Sequence, residues 1–222
     1  MSADAKPVLN HNDAALLTLT KSQRFAKRTF DIIVATILVI WLSPLILIGW
    51  IAARISTGIG GFFIQQRVGM HGKTFPLLKL RTMKVMENVS TTVTSTNDCR
   101  ITRAGAVLRK LKIDELPQLL NIIVGHMSLV GPRPDVPGFA DKLEGEDRAL
   151  LTIRPGITGP ATIQFRNEEE LLANVDDPET YNREVIWPEK VRINLKYLRN
   201  YSMATDIKTL VATAIPSLGS KT

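Results

Sequence analysis

The chain has 222 residues, a net charge of +7 and a single cysteine. That length supports one sizeable core, the lone Cys99 excludes an intramolecular disulfide, and the dispersed His11, His71 and His126 give no zinc-ligand spacing. The basic balance favours anionic partners, but aromatics are only 6% and no basic run is interleaved with them, so nucleic acid is not expected among those partners.

Residues 1–22 form a polar tail of mixed charge, too long and too mixed for the positive start of a cleaved signal. From Ile32 to Ala53 there are 22 uncharged residues. As one helix they would span roughly 33 Å, about one hydrocarbon core. Ser43-Pro44 interrupts the run. Pro44 has no N–H for the Ile40 carbonyl, and Ser43 can return a hydroxyl hydrogen bond to a preceding carbonyl. Each half would be about 15 Å long and reach half depth. Basic residues flank both sides: Lys21, Arg24, Lys27 and Arg28 before, Arg54, Arg67, Lys73 and Lys79 after. A spanning helix should carry its cations asymmetrically. The residues alone leave a spanning helix and a re-entrant helix-break-helix both open.

Segments 61–67 and 74–80 flank Gly69 and Gly72 and predict a short β-hairpin. Residues 86–100 are a polar Ser/Thr-rich loop, with a glycosylation sequon at Asn88 that a cytoplasmic location would make irrelevant. Residues 103–112 predict a helix. A second runs from about Glu115 to Val124, and residues 130–138 are irregular. Residues 139–151 return to a helical pattern, 154–163 are punctuated by Gly and Pro, and from Tyr181 onward the pattern is helical. Trp187 with Lys190, Arg192, Lys196 and Arg199 fits either a headgroup-layer helix or one packed on the protein's own core.

The chemistry concentrates in LKIDELPQLLNI, 111–122. Pro117 belongs in a helix's first turn, which starts the helix at Asp114 or Glu115. Asp114, Gln118 and Asn121 share one polar face, and Leu116, Leu119, Leu120 and Ile123 cover the other. Asp114 then has two readings: an N-cap, or half of a carboxylate pair that works with nearby cations. Those cations are Lys79, Arg81, Arg109, Arg154 and Arg133, the last held on a stiff Pro132-Arg133-Pro134 backbone suited to phosphate.

Four blocks in order resemble the monotopic phosphoglycosyl transferases of the bacterial sugar transferase family: KRTFDI (27–32) with Ser43-Pro44, FIQQRVGMHGKTFPLLKLRTM (63–83), LRKLKIDELPQLLNIIVGHMSLVGPRP (108–134) and RPGITGPATIQFRN (154–167). The resemblance implies an α+β, mainly helical fold: a re-entrant membrane hairpin at 23–56, turned at Ser43 and Pro44, then a cytoplasmic catalytic domain at 57–222 with amphipathic interfacial helices and the small β-hairpin. It implies transfer of a sugar 1-phosphate from a UDP-sugar to polyprenol (undecaprenyl) phosphate with release of UMP. Asp114 would be the nucleophile, Glu115 its partner, and Mg²⁺ would bind at both. Substrate contacts fall to Lys79, Arg81, Arg109, Gln118, Arg133 and Arg154. The location implied is the cytoplasmic face of a bacterial inner membrane, with both termini cytoplasmic, and a hairpin surface leaves room for a homodimer. His126 stands where the family usually has aspartate. A non-catalytic membrane scaffold and a lipid-independent nucleotide-sugar hydrolase are the alternatives, and neither matches the four blocks. The sugar and its glycan pathway are not readable.

Overall fold

Helix α1 (Lys21–Thr57) carries its own start and stop. The Gln23 N–H donates to Thr20 Oγ1 at 3.2 Å and the Thr20 N–H donates to Gln23 Oε1 at 2.8 Å, a reciprocal capping box. Gly58, at φ 76°, closes the helix in the left-handed conformation that a Cβ disfavours. The computed structural model describes residues 18–85 and 98–215. Most of the N-terminal tail and of loop 86–100, with the Asn88 sequon, lies outside them.

The expected interruption at Ser43-Pro44 does not end the helix: α1 runs 37 residues with Pro44 inside it. The physical reason is local. Ser43 Oγ donates to the Ile40 carbonyl at 2.8 Å, the very acceptor that Pro44 cannot reach.

Both ends of α1 pack on the body of the protein, and Leu38, Val39 and Leu42 rest against the main core between them, while the opposite side of its centre is uncovered. Lys27, Asp31 and Ala35 are buried at one end and Gly49 and Ala53 at the other. Between them Ile37, Ile40, Leu45, Leu47 and Ile48 are exposed, and Trp41 is 81% exposed. At the first end Arg28 donates to the carbonyls of Ile122 at 2.6 Å and Ile123 at 3.0 Å, and Asp31 Oδ1 accepts from the Leu129 N–H at 3.1 Å. At the second, a Cβ on Gly49 would lie 2.7 Å from Leu80 Cδ1 and 3.2 Å from Ile113 Cγ2. Glycine is what lets the helix touch the residue before the acidic pair.

Strands β1 (Phe62–Val68) and β2 (Thr74–Leu80) form the expected antiparallel hairpin, paired from Phe62↔Leu80 to Val68↔Thr74. Its turn takes positive φ at His71 and Gly72. Helix α2 (Arg103–Lys110) is capped by Thr102, whose hydroxyl accepts from the Gly105 N–H at 2.9 Å.

The next expectation needs correction. Asp114 is not the N-cap of the following helix. Lys112 adopts φ 57°, Ile113–Glu115 makes a separate 3-10 turn, and α3 (Gln118–Val124) begins only after Pro117. Pro117, not Asp114, takes the N-cap position of α3, and Asp114 Oδ1 has no hydrogen-bond partner among the described residues. The polar face of this segment is also buried rather than solvated. Asn121 donates to the Pro76 carbonyl at 2.8 Å and accepts from the Leu78 N–H at 3.0 Å, which stitches α3 to β2.

Two three-residue strands, β3 (Ser128–Val130) and β4 (Gly156–Thr158), pair in parallel where only irregular chain was expected. A Cβ on Gly156 would lie 2.2 Å from the Gly131 nitrogen, so this crossing is closed to larger residues. The helical pattern of 139–151 is realised as 3-10 turns, Ala140–Lys142 and Gly145–Thr152. Helices α4 (Pro160–Gln164), α5 (Glu168–Ala173), α6 (Pro178–Tyr181), α7 (Trp187–Arg199) and α8 (Met203–Ala214) follow. On α7, Trp187 meets Phe139 edge-on at 5.5 Å, Lys190 pairs with Glu168 at 2.7 Å, and Arg199 pairs with Glu146. This face therefore packs on the protein's own core. Helix α8 is inverted: Asp206 and Thr209 are buried while Ile207, Val211 and Ile215 are exposed.

The main core joins Ala35 of α1, Phe75 and Leu77 of β2, Ile122 of α3, Val130 of β3 and Leu198 of α7. Beneath it lies a buried polar group. Lys27 Nζ is 2.6 Å from Asp206, and the Tyr197 hydroxyl donates to the same carboxylate at 2.6 Å. This ties the start of α1 to α7 and α8. Removing one member of a buried pair strands the other. Lys27→Met is expected to cost about 3–5 kcal/mol, measured by chemical denaturation in detergent, and adding Asp206→Leu should recover part of that loss.

Candidate active site

Asp114 and Glu115 project from the 3-10 turn between α2 and α3. Ile113, just before them, is fixed by its contact with Gly49 of α1 and by the small core of Ala53, Leu80 and Leu108. The two carboxylates meet different surroundings. Glu115 is clamped: Lys79 Nζ from β2 lies 3.2 Å from its Oε1, and the Arg133 guanidinium donates to both of its oxygens. Asp114 is 8% exposed, and its Oδ1 has no hydrogen-bond partner among the described residues. One carboxylate is spent on structure and the other is left with an open lone pair.

Arg133 reaches Glu115 from a segment that is itself pinned. The Pro132 carbonyl accepts from the Gly156 N–H at 2.8 Å. Arg67 of β1 donates to the Pro134 carbonyl at 3.2 Å, and the Val68 N–H donates to the Asp135 carbonyl at 2.9 Å. The alternating Pro residues remove competing donors and keep this backbone extended.

The electrostatics follow from the packing. Burial raises the Glu115 carboxyl, but Arg133 and Lys79 outweigh it and hold the group well below the usual carboxylate range. Burial, and next the charge of Glu115, push the Asp114 carboxyl up, against the pull of Lys79, Arg109 and Lys112. Burial pulls the Lys79 ammonium down, with Glu115 opposing. Burial also drives the Asp135 carboxyl up to about 6 despite Lys190, Arg67 and Arg133.

Lys79 and Arg133 thus join Asp114 and Glu115, and the charge of Arg109 acts on Asp114. Gln118 is buried at the start of α3, with its Nε2 unpartnered among the described residues. Arg81 and Arg154 are not brought to this group. Arg81 donates to the carbonyls of Gly60 at 2.9 Å and Phe62 at 3.1 Å and lies over the Phe63 ring. Arg154 donates to the Gly125 carbonyl at 2.8 Å, beyond the far end of α3. His126 is also at that far end, its ring 5.5 Å from Phe75. Asp135 was not singled out from the sequence; it lies by Arg67 and Arg133 because the end of β1 bonds to the Pro134 and Asp135 carbonyls, a long-range pairing that no local pattern announces.

No group of three His, Cys, Asp or Glu side chains capable of holding a metal occurs among the described residues. Two adjacent carboxylates fit a different arrangement. Magnesium is commonly held by one or two carboxylates together with waters and substrate phosphate oxygens, and the unpartnered Asp114 Oδ1 beside Glu115 suits that donor set.

The chain's similarities agree with this geometry. The family model described as bacterial sugar transferase matches residues 22–219. The UDP-glucose:undecaprenyl-phosphate glucose-1-phosphate transferase of Escherichia coli (strain K12) is 33% identical over 208 residues, covering 91% of this chain and 42% of that protein. The chain therefore spans less than half the length of that relative. The exopolysaccharide production protein ExoY of Sinorhizobium fredii is 37% identical over 209 residues, covering 87% of this chain and 85% of that protein. An uncharacterized sugar transferase of Bacillus subtilis, EpsL, is 36% identical over 187 residues and 84% of each chain. With the match running through both ends of α1, the acidic turn and the C-terminal helices, this chain belongs to the bacterial sugar transferase family.

Proposed function

We propose that this chain is a polyprenol-phosphate phosphoglycosyl transferase. It moves a sugar 1-phosphate from a UDP-sugar to undecaprenyl phosphate and releases UMP. The observation that carries the reading is the asymmetry of the acidic pair: Glu115 held by Lys79 and Arg133, Asp114 buried with an unpartnered oxygen. The names of relatives, which include UDP-glucose:undecaprenyl-phosphate glucose-1-phosphate transferases, support the donor and acceptor classes.

Asp114 attacks the β-phosphorus of the donor. A bond forms from its carboxylate oxygen to that phosphorus, the bond to the bridging oxygen breaks, and UMP departs with the electron pair. The product is a mixed anhydride between Asp114 and the sugar phosphate, as in other aspartyl-phosphate chemistry. An oxygen of the polyprenol phosphate then attacks the same phosphorus and frees Asp114. Phosphoryl transfer asks chiefly for positioning and neutralised charge. Arg133 and Lys79 supply fixed positive charge beside the reacting groups, already oriented by Glu115. Magnesium held by Asp114, Glu115 and the diphosphate would add Lewis-acid neutralisation of the phosphate oxygens.

Apolar surface supports a location on a bacterial inner membrane. The centre of α1 exposes Ile37, Ile40, Trp41, Leu45, Leu47 and Ile48, and α8 turns Ile207, Val211 and Ile215 outward while burying its polar side. Such contiguous apolar surface requires a non-aqueous partner. Both ends of α1 pack on the same catalytic body. That supports re-entry, with α1 entering and leaving on the cytoplasmic face and Ser43-Pro44 at its deepest point. Cysteines at residues 22 and 57, in a Cys99→Ser background, should both react with an impermeant thiol reagent from the cytoplasmic side; reaction from opposite sides would overturn re-entry.

Asp114→Asn should abolish turnover and the hexose-phosphate adduct seen by mass spectrometry of the peptide holding residue 114. Arg133→Met should retain the adduct while slowing its formation about 10²–10³-fold, the usual effect of losing one fixed electrostatic donor.

The pH dependence has a definite sign. Asp114 must be ionised to attack, and its carboxyl lies above the ordinary 3.8. The rate should therefore fall, as pH is lowered, at a higher pH than an ordinary aspartate would give. Lys79→Met removes a cation that pulls this group down, so the acid limb should move to still higher pH in initial-rate profiles.

A further inference from the structure

Two side-chain atoms on one stretch of backbone are buried without hydrogen-bond partners among the described residues: the Oδ1 acceptor of Asp114 and the Nε2 donor of Gln118. Gln118 is 2% exposed. A buried amide N–H without an acceptor is costly unless a ligand completes it. The backbone places the two side chains together. Ile113–Glu115 is a 3-10 turn, Leu116 (φ −55°, ψ −35°) and Pro117 (φ −60°, ψ −17°) stay in the right-handed helical region, and Gln118 opens α3. Positions four apart on such a backbone bring their Cβ atoms within about 6 Å. Side chains on a helical backbone lean toward its N-terminus, so Gln118 leans back over the turn of Asp114. Yet the amide and the carboxylate do not bond each other, since both atoms stay unpartnered. Asn121, next along the same face, differs: both ends of its amide engage the backbone of β2.

We propose that Gln118 Nε2 donates to a non-bridging oxygen of the phosphoryl group as that group passes to Asp114. The inference rests on the covalent mechanism proposed above, and it gives Gln118 one atom and one step rather than a general substrate contact. In an in-line attack the phosphorus approaches the Asp114 oxygen, and its non-bridging oxygens spread across the line of attack. As the bond from the carboxylate forms and the bond to the bridging oxygen breaks, those oxygens hold the negative charge. An N–H one turn from the nucleophile faces that charge, and the space that separates Nε2 from Oδ1 is where the phosphoryl group sits. The amide moves no proton and stays neutral throughout. Neutrality is its advantage. Lys79 and Arg133 are already committed to Glu115. A further cation beside Asp114 would pair with the carboxylate and engage the lone pair that must attack. A neutral donor favours the charge on the phosphoryl oxygens, and burial keeps water from competing for it.

The test is single-turnover formation of the adduct on residue 114, followed by mass spectrometry, with the full chain in nanodiscs. The donors are UDP-glucose, UDP-galactose and UDP-N-acetylglucosamine, and then both β-phosphorothioate diastereomers of whichever one labels the chain. Sulfur accepts a hydrogen bond poorly, so one diastereomer sets sulfur against the amide and the other keeps oxygen there. Gln118→Leu should slow adduct formation about 10²-fold, as expected for one lost donor to a developing charge. The ratio of the two diastereomers' rates should also move by roughly fivefold or more, because sulfur and oxygen become equivalent once the donor is gone. A side chain that only packs would slow both diastereomers alike and leave the ratio unchanged. Gln118→Glu keeps the volume but exchanges the donor for an acceptor, and it carries the test should Gln118→Leu fail to fold. It should slow the adduct at least as much and move the ratio in the same direction. An unaltered rate or an unaltered ratio in a folded variant overturns the role of Gln118 and leaves the covalent mechanism standing. No adduct from any of the donors in the unaltered chain sinks the covalent mechanism, and this inference with it.

Discussion

The clamp on Glu115 is the interaction on which the arrangement depends. A single carboxylate receives Lys79 from the hairpin and Arg133 from the segment after β3. Two cations converging on one half-buried anion fix three distant parts of the chain at once, because each partner would otherwise bear an uncompensated charge. Glu115 thereby stays ionised, and its charge helps to raise its neighbour. Asp114 inherits a pre-set positive field without being neutralised by a direct ion pair. The nucleophilic role proposed for Asp114 needs that combination: charge nearby to receive the phosphate, and a lone pair not already engaged. The adjacent positions of the acids in sequence conceal how different their surroundings are.

Helix α1 is more than an anchor attached to this site. Ala35 belongs to the main core, and Gly49 touches both Leu80 of β2 and Ile113 beside the acidic pair. Any movement of the second end of α1 is therefore transmitted to the turn that holds Asp114. Close packing leaves few voids to absorb such a displacement. The apolar centre of the helix and the position of the carboxylates are thus mechanically linked. A domain that merely floated on a tether would have no such link.

The sequence revealed the parts of the fold governed by short range. The hairpin was legible because two strand-like runs flank Gly69 and Gly72, and α2 because residues 103–112 read as helical, close to its observed span Arg103–Lys110. Ser43 as a partner for the Ile40 carbonyl was also legible, since both lie within one turn. What escaped was set by distance in the chain. The strands β3 and β4 are three residues each and pair across 28 positions, too short for any alternation to register. Asn121 was placed on a polar face with Asp114 and Gln118, but which partner that face meets, the β2 backbone, is set by the fold. Asp114 read as a possible cap because Pro117 suggested a helix start; the left-handed Lys112 instead opens a separate 3-10 turn that holds it. Arg81 and Arg154 had the right charge in the right blocks, yet each is engaged by backbone carbonyls that only the folded chain brings near.

The end of α3 beside His126 is satisfied in the same way. The last carbonyls of α3 need donors, and the negative end of the helix dipole favours cations. Gly125 closes the helix at φ 101° and donates its N–H to the Asn121 and Ile122 carbonyls. Arg28 covers the carbonyls of Ile122 and Ile123, and Arg154 covers that of Gly125. Two guanidiniums meeting at one helix end would ordinarily call for an acidic residue between them. Here Asp31, one turn along α1 from Arg28, sits close by, its carboxylate accepting from the Leu129 N–H just past the same helix end. The carbonyls take up the donors, so position 126 need not carry charge and its ring packs on Phe75. Helix α3 stands between His126 and the acidic turn, so His126 belongs to the framework that holds α3 against α1 and not to the group of Asp114, Glu115, Lys79 and Arg133.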